Sequence, residues 1–243
     1  MCLVVAAVDA SARYELLFAA NRDERHARPT AAAAWWPDLP GMFAGRDLVA
    51  RGTWLGVDRA GRLGAVTNFR DASAAPASES RGALVADYLR AAASPAEFAA
   101  SLDARLDAYG PFSLLLRERD RLHYVSNRAP PAELGAGVHA LSNAAYGVEW
   151  PKVRSARAGL ERLLEMHDPV DELFALLAER APGATAEARY LSSHFVAGPV
   201  YGTRSSTVVL IDRGGLLTFA ERSFDAEARP TGEVRVSFEL DAA

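Results

Sequence analysis

The chain has 243 residues, of which 50% are hydrophobic and 24% are charged, and its net charge is −4. That apolar content excludes a disordered chain, and the slightly acidic balance lacks the positive charge needed to bind nucleic acid or an anionic membrane non-specifically. The single cysteine, Cys2, excludes an internal disulfide and a cysteine-rich zinc site. No segment has the ~18–20 uninterrupted apolar residues that span a bilayer, so we expect a cytoplasmic protein without an integral membrane segment.

Short apolar runs between turn residues predict strands along the whole chain. In order, the predicted strands cover residues 3–8, 14–20, 54–57, 62–67, 112–116, 122–125, 138–141, 207–211, 216–220 and 234–240. Apolar residues at helical spacing predict helices that begin near Leu84, Ser94, Pro151 and Asp168, and Ser94 with Glu97 forms a capping box. Strands and helices come in blocks, which favours antiparallel sheets with separate helix layers, an α+β fold. No linker interrupts the chain, so we expect one domain over residues 1–243.

Cys2 directly precedes the first predicted strand. Removal of the initiator methionine would give Cys2 a free α-amine with a pKa of ~7.7–8, which can act as the general base for its own thiol. Nucleophile and base would then share one residue. The alternative is a small buried hydrophobic residue that happens to lie at the start of the chain.

Four consecutive polar residues, Asn21, Arg22, Asp23 and Glu24, follow the apolar run 16–20. One interpretation is a solvated turn that is anchored by its own side-chain hydrogen bonds. The other is a cluster that positions a nucleophile, because a carboxylate orients a proton and an arginine binds a carboxylate or phosphate. Pairing with Cys2 on an adjacent hairpin strand would favour the second interpretation.

Other polar residues lie where predicted strands end or begin. Asn68 and Asn143 each follow a strand, and an amide N–H beside a nucleophile can stabilise an oxyanion, although turn formation is the alternative. Arg204 precedes the strand at 207–211 and is a second cationic or structural group. Trp54, between two glycines, predicts a close approach of the backbone to its ring.

The remaining ionisable residues predict no site. Nearly all of the basic residues are arginine, with Lys152 as the only lysine, and we interpret this bias as base composition without functional meaning. The five histidines show no spacing typical of metal ligands, so no metal site is predicted.

Six short motifs occur in order along the chain. They are Met-Cys at the start, Ala-Ala-Asn-Arg-Asp-Glu at 19–24, Gly-Thr-Trp-Leu-Gly at 52–56, Thr-Asn at 67–68, Leu-Ser-Asn-Ala at 141–144 and Tyr-Gly-Thr-Arg at 201–204. Together they resemble the NRDE family, the family of the eukaryotic transport and Golgi organisation protein 2. The resemblance implies the fold of the N-terminal-nucleophile hydrolase superfamily, an αββα sandwich of two antiparallel sheets between helix layers.

Within that superfamily, penicillin V acylase and bile salt hydrolase carry a processed N-terminal cysteine, and similarity to their pattern implies roles for residues of this chain. Cys2 would be the nucleophile, and Asp23 would contact its amine. Asn68 and Asn143 would be the oxyanion and positioning asparagines, and Arg204 would match a late arginine.

The chain departs from that pattern at one position. Those hydrolases place an arginine three residues before the aspartate, where this chain has Ala20 and offers Arg22 two residues later. Residues two apart share a face of a regular strand, whereas a turn would redirect the side chain.

Two functions are therefore expected. The first is an amidase-type enzyme that acts on a non-peptide amide or acyl substrate and requires no cofactor, with Cys2, Asp23, Asn68 and Asn143 as catalytic residues. Its supporting or substrate-binding residues would be Asn21, Arg22, Glu24, Trp54 and Arg204. The alternative is a non-catalytic carrier of haem or of a lipid or acyl-CoA, because the resemblance implies links to haem mobilisation and lipid homeostasis. The sequence contains no haem-ligating motif and leaves the oligomeric state open.

Overall fold

The computed structural model describes residues 2–71, 73–74, 76–183 and 185–241. Its strands are β1 (Cys2–Val8), β2 (Tyr14–Arg25), β3 (Thr30–Trp36), β4 (Leu39–Asp47), β5 (Leu55–Asp58), β6 (Leu63–Asn68), β7 (Phe112–Glu118), β8 (Arg121–Ser126), β9 (Ala132–Leu134), β10 (Gly137–Leu141), β11 (Tyr201–Asp212), β12 (Leu216–Phe224) and β13 (Pro230–Glu239). Its helices are α1 (Arg81–Arg90), α2 (Pro95–Leu102), α3 (Pro151–Glu161), α4 (Val170–Leu177) and α5 (Ala186–Ser192), with a 3-10 turn at Asp103–Ala108. No helix of these described residues is long and apolar enough to cross a membrane.

The chain folds as two compact units. The first unit contains the residues up to Ala27, Ala136–Ser142 and Gly147–Glu239, and the second contains Arg28–Gly135, Asn143–Tyr146 and the residues from Leu240. Each unit has one antiparallel sheet, in the order β10-β1-β2-β11-β12-β13 in the first and β3-β4-β5-β6-β7-β8-β9 in the second. The predicted α+β class with antiparallel sheets is confirmed, while the single domain over residues 1–243 stays a prediction.

In the first unit, helices α3 and α4 cover one face of the sheet. Alternate residues of β1, namely Leu3, Val5 and Ala7, pack into a core with Val153 of α3 and Leu173 of α4. Because side chains alternate along a strand, the remaining β1 residues, including Cys2, lie on the other face of the sheet. All seven residues of β1 are buried, which places Cys2 at the end of a central strand with apolar side chains on both faces.

In the second unit, helices α1 and α2 pack on a seven-stranded meander through an apolar core that includes Leu84, Tyr88 and Phe98. The capping box predicted at Ser94 and Glu97 is present at the start of α2. No strand was predicted for residues 30–47, where β3 and β4 form a hairpin.

Two predicted boundaries are wrong by five residues or more, and both errors concern polar residues. β2 does not end at residue 20 but continues through Asn21, Arg22, Asp23 and Glu24 to residue 25, so the interpretation of these residues as a solvated turn is wrong. β11 begins at Tyr201, six residues before the predicted start. The two errors have one cause, because each polar segment is the pairing partner of the other. Backbone hydrogen bonds between them replace those that a turn would have to supply.

Candidate active site

Cys2 lies in β1 between β10 and β2, and it is 8% exposed. Its backbone carbonyl accepts a hydrogen bond of 2.6 Å from the hydroxyl of Ser142, at the end of β10. Across the antiparallel ladder, Cys2 is paired with Arg22 and Leu3 is paired with Asn21. Directly paired residues project from the same face, so the Arg22 side chain is the cross-strand neighbour of the Cys2 side chain.

Arg22 therefore lies where a cation can act on the Cys2 sulfur. β2 has no irregularity between Ala20 and Arg22, so the two residues share a face, as expected for a regular strand. The Arg22 guanidinium is buried, and Glu24, which is partly exposed, lies 4.0 Å from it. Glu24 also accepts a hydrogen bond from the backbone N–H of Arg25, which fixes the end of the strand.

Asn21 faces the helices and is held by three short contacts. Its amide nitrogen donates to the carbonyls of Leu177 and His194, at 2.8 and 2.9 Å, and its amide oxygen accepts from Ser206 at 2.6 Å. These bonds join β2 to the end of α4, to the segment after α5 and to β11. The contacts of Asn21 therefore fix the polar end of β2 within the first unit.

Asp23 is buried beside β11. One carboxylate oxygen accepts a hydrogen bond of 2.6 Å from the Thr203 hydroxyl, and the Tyr201 hydroxyl donates to the Asp23 carbonyl at 3.0 Å. Burial raises the pKa of Asp23, while the Thr203 hydrogen bond and the charges of Lys152 and Arg22 act in the opposite direction. Asp23 is thus a buried carboxyl held between hydroxyl and cationic partners.

Lys152, for which no role was predicted, interacts electrostatically with this cluster. It is the second residue of α3, after Pro151, and it is 1% exposed. Burial lowers its pKa to about 8, and interactions with Asp23 and Cys2 partly oppose that decrease. The ammonium nitrogen lies 4.7 Å from the ring centre of Tyr190 and 5.5 Å from that of Trp150. One signal of this role was present in the sequence, because Lys152 is the only lysine among 27 basic residues.

Arg204 also lies in the first unit, in β11 at a register shift between Thr203 and Ser205. Its guanidinium donates to the backbone carbonyls of Arg25 and His26, at 3.1 and 2.9 Å. These bonds fasten the end of β2 to β11. A contact between Arg204 and a substrate stays a prediction.

Three of the sequence-predicted residues belong to the second unit, where two of them meet. The Asn143 amide nitrogen donates to the Asn68 carbonyl at 2.7 Å, and the backbone N–H of Arg70 donates to the Asn143 carbonyl at 2.8 Å. Asn143 is buried, and Asn68 ends β6. Trp54 precedes β5 and packs so closely on Gly45 that a methyl group there would lie 2.4 Å from the ring. The expected ring-to-backbone approach therefore occurs on Gly45. The oxyanion roles of the asparagines stay predictions.

The buried histidine of the first unit serves packing. His194 Nδ1 lies 2.7 Å from the Leu176 carbonyl, and its Nε2 lies 2.6 Å from the Ser155 hydroxyl on α3. Both ring nitrogens are thus engaged within the protein, which ties α3 to the end of α4. Within the described ranges, no group of three or more histidine, cysteine, aspartate or glutamate residues could hold a metal ion.

Comparison with solved structures identifies the class of fold. The chain is similar to an N-acylethanolamine-hydrolyzing acid amidase ortholog from Caenorhabditis elegans, with a TM-score of 0.56 and 12% identity, over 86% of this chain and 92% of that one. It is also similar to a variant of conjugated bile acid hydrolase from Clostridium perfringens, with a TM-score of 0.51 and 9% identity, over 99% of this chain and 92% of that one. The chain has the fold of the N-terminal-nucleophile hydrolases, as expected.

Sequence comparison then identifies the family. The profile of the family "Transport and Golgi organisation 2" matches residues 1–226. The Bos taurus Transport and Golgi organization protein 2 homolog is 32% identical over 239 residues, which cover 86% of this chain and 87% of the relative. The Homo sapiens homolog is 29% identical over the same shares of each chain. The chain belongs to the Transport and Golgi organisation 2 family.

Proposed function

We propose that this protein is a cysteine hydrolase that cleaves a non-peptide amide or a related acyl bond, with Cys2 as its nucleophile and no required cofactor. One observation carries the proposal: the only thiol of the chain shares one end of a sheet with a buried arginine, aspartate and lysine. Burying charged groups costs folding free energy, and such clusters are concentrated at functional sites. The fold, which the chain shares with an acid amidase and a bile acid hydrolase, supports the same chemistry.

The chemistry has two stages once Met1 is removed. The Cys2 α-amine takes the proton of its own thiol, and the thiolate attacks the carbonyl carbon of the substrate. The C–N bond then breaks, the proton passes from the α-ammonium group to the leaving amine, and a thioester remains on Cys2. Water hydrolyses the thioester, which releases the acid and restores the thiol. In this proposal Asp23 orients the α-amine, and Asn68 and Asn143 stabilise the oxyanion.

The experiment uses Cys2→Ala with a panel of N-acyl aminomethylcoumarins of increasing acyl length. Intact mass spectrometry first establishes whether Met1 has been removed. We expect the processed wild type to release coumarin and Cys2→Ala to lose at least about 10³-fold in rate, because the attacking atom is absent. Thr218→Ala is the matched control, since its hydroxyl contacts only the edge strand residue Ser237 among the contacts described. It should keep the wild-type rate.

Two results would contradict this function. One is full activity of Cys2→Ala on every amide that the wild type cleaves, and the other is no cleavage of the panel by protein that has lost Met1. In the second case, titration with haem and with palmitoyl-CoA tests the carrier function. Saturable binding at micromolar concentrations would favour the carrier.

A further inference from the structure

A serine and a histidine form a hydrogen-bonded pair on the helix side of the first unit. The Ser155 hydroxyl, on α3, lies 2.6 Å from Nε2 of His194, which follows α5. Ser155 is exposed to solvent, whereas His194 is 1% exposed. A buried imidazole therefore lies directly behind an exposed serine. A serine hydroxyl within hydrogen-bond reach of an imidazole is the arrangement in which serine becomes a nucleophile.

The hydrogen bonds that pack His194 between α3 and α4 also fix its tautomer. Nδ1 lies 2.7 Å from the Leu176 carbonyl, which can only accept, so Nδ1 carries the hydrogen of the neutral ring. Nε2 then has a lone pair, and the hydrogen in its contact with Ser155 comes from the serine hydroxyl. The Lys152 carbonyl, at 3.2 Å from the same hydroxyl, is the more distant acceptor. His194 is thus poised to take the Ser155 proton.

The segment after α4 holds the imidazole in this orientation. The backbone N–H groups of His194 and Phe195 both donate to the Glu179 carbonyl, at 3.0 Å. The Glu179 carboxylate lies 3.7 Å from Nδ1, where its charge stabilises the positive charge that the ring gains with a proton. That carboxylate is 52% exposed, so solvent screening weakens this effect. The Leu176 carbonyl is therefore the main orienting group.

We propose that Ser155 is a second nucleophile of this protein, with His194 as its general base, and that it accepts acyl groups from reactive esters. Three groups in hydrogen-bond contact carry the inference, namely the nucleophile, the base and the carbonyl that orients the base. The inference goes beyond the proposed function and does not depend on it, because Cys2 lies on the opposite face of the sheet and has no part in the reaction.

The reaction needs only the ester and water as co-reactants. Nε2 of His194 takes the hydroxyl proton while the Ser155 oxygen forms a bond to the carbonyl carbon of the ester. The C–O bond to the leaving alcohol then breaks, the proton passes from the imidazolium to that alcohol, and the acyl group remains on Ser155 as an ester. Because Ser155 is exposed, water reaches this acyl-serine and hydrolyses it, which releases the acid and restores the hydroxyl.

The test labels full-length Cys2→Ala, which lacks the only thiol, with an alkyl fluorophosphonate and with p-nitrophenyl acetate. Intact mass and peptide mapping locate the adducts. We expect a phosphonyl and an acetyl adduct on Ser155, and the loss of both when Ser155→Ala is added. His194→Asn should slow phosphonylation by at least about 10²-fold, because the general base is removed. Its amide N–H can still donate to the Leu176 carbonyl.

Ser101→Ala is the matched control. Ser101 on α2 is also an exposed helical serine, and its hydroxyl donates to the Phe98 carbonyl three residues earlier, at 2.7 Å. Among the contacts described, no histidine reaches this hydroxyl, so its loss should leave the labelling rate unchanged. Urea denaturation checks that each variant is folded. Ser155→Ala changes an exposed side chain and decides the question even if His194→Asn does not fold.

Three outcomes would overturn the inference. They are no adduct on Ser155 in folded Cys2→Ala protein, labelling that persists when Ser155→Ala is added, and an unchanged rate in a folded His194→Asn variant. The assay proceeds without the Cys2 thiol. Labelling of Ser155 in a protein that cleaves no amide would therefore refute only the proposed function, and amide cleavage by a wild type whose Ser155 is inert would refute only this inference.

Discussion

Each unit of the molecule contains a long basic side chain that is no more than 2% exposed, but the two are buried in different ways. Arg117 on β7 in the second unit is 2% exposed, and its guanidinium donates to the Gly61 carbonyl at 2.6 Å. The Arg117 carbonyl also accepts from the Tyr88 hydroxyl at 3.0 Å. Lys152 in the first unit is 1% exposed and instead interacts with a thiol and a carboxyl group.

The chemistry of the two side chains explains what the difference means. An arginine stays protonated at any physiological pH, so Arg117 acts as a fixed donor that holds the turn at Gly61. A buried lysine changes its pKa readily, and Lys152 titrates near pH 8 beside another titratable group. A buried cation bound to backbone carbonyls indicates a structural role, whereas a buried cation with a lowered pKa beside a carboxyl group indicates a functional one.

Arg117→Met is expected to have the largest effect on the free energy of unfolding, and it tests the structural role of Arg117. The substitution leaves the Gly61 carbonyl without its donor and removes part of a buried side chain. We expect the free energy of unfolding to fall by about 3–4 kcal/mol, measured by urea denaturation. Arg121→Met, which removes an exposed arginine from β8, should change it by less than about 1 kcal/mol. Equal losses in the two variants would refute a special structural role for Arg117.

The pH dependence of the free energy of unfolding tests the titration of Lys152, the second side chain of this comparison. The pKa of Lys152 falls from an ordinary 10.5 to about 8 on folding, so between these values the unfolded chain binds a proton that the folded chain does not. The contribution of Lys152 to the free energy of unfolding therefore rises with pH across this window, and the cost of burying its charge is present in full below pH 8. Relative to Lys152→Met, the wild type should gain on the order of 3 kcal/mol between about pH 8 and pH 10.5. A flat difference would show that Lys152 keeps its ordinary pKa.

Asp23→Asn is expected to have the smallest effect, a shift of the pH range over which Lys152 changes the free energy of unfolding. The Asp23 carboxylate raises the pKa of Lys152, so its removal should move the pH window to lower values by up to about one unit. The amide keeps an oxygen that can accept the Thr203 hydrogen bond. Glu24→Gln is the control, because this partly exposed carboxylate should leave the window in place. An upward shift in Asp23→Asn would contradict the interaction between the two residues.

The local pattern of the chain predicts most of the elements. The start of β2, the start of β12 and the capping box of α2 lie where apolar alternation and end signals put them. For the segment 21–24 local rules predict a turn, because its residues are polar, whereas the structure continues β2 through it. Its pairing partner, the first residues of β11, lies about 180 residues further along the chain, so local sequence patterns do not predict the pairing.

The candidate site divides in the same way. Cys2 and Asp23 were candidates in the sequence, each with a structural alternative, and the motif order along the chain points to the family. Lys152 was missed because its neighbours in the sequence, an exposed proline and a helix of mixed composition, show nothing of the sheet end that they cover. Arg204 lies within β11 and not before it as predicted, and its backbone contacts at Arg25 and His26 adjoin a register shift that the sequence does not reveal.

By itself the sequence determined the α+β class, the family and the nucleophile candidate, because periodicity and residue type are local properties of the chain. The tertiary structure decided that Arg22 is the cross-strand neighbour of Cys2, that Asp23 is buried against β11, and that Lys152 joins them from a helix. The physical reason is that charge and burial act through space. The proton affinity of Lys152 is set by the surroundings that folding provides, which no stretch of sequence around residue 152 contains.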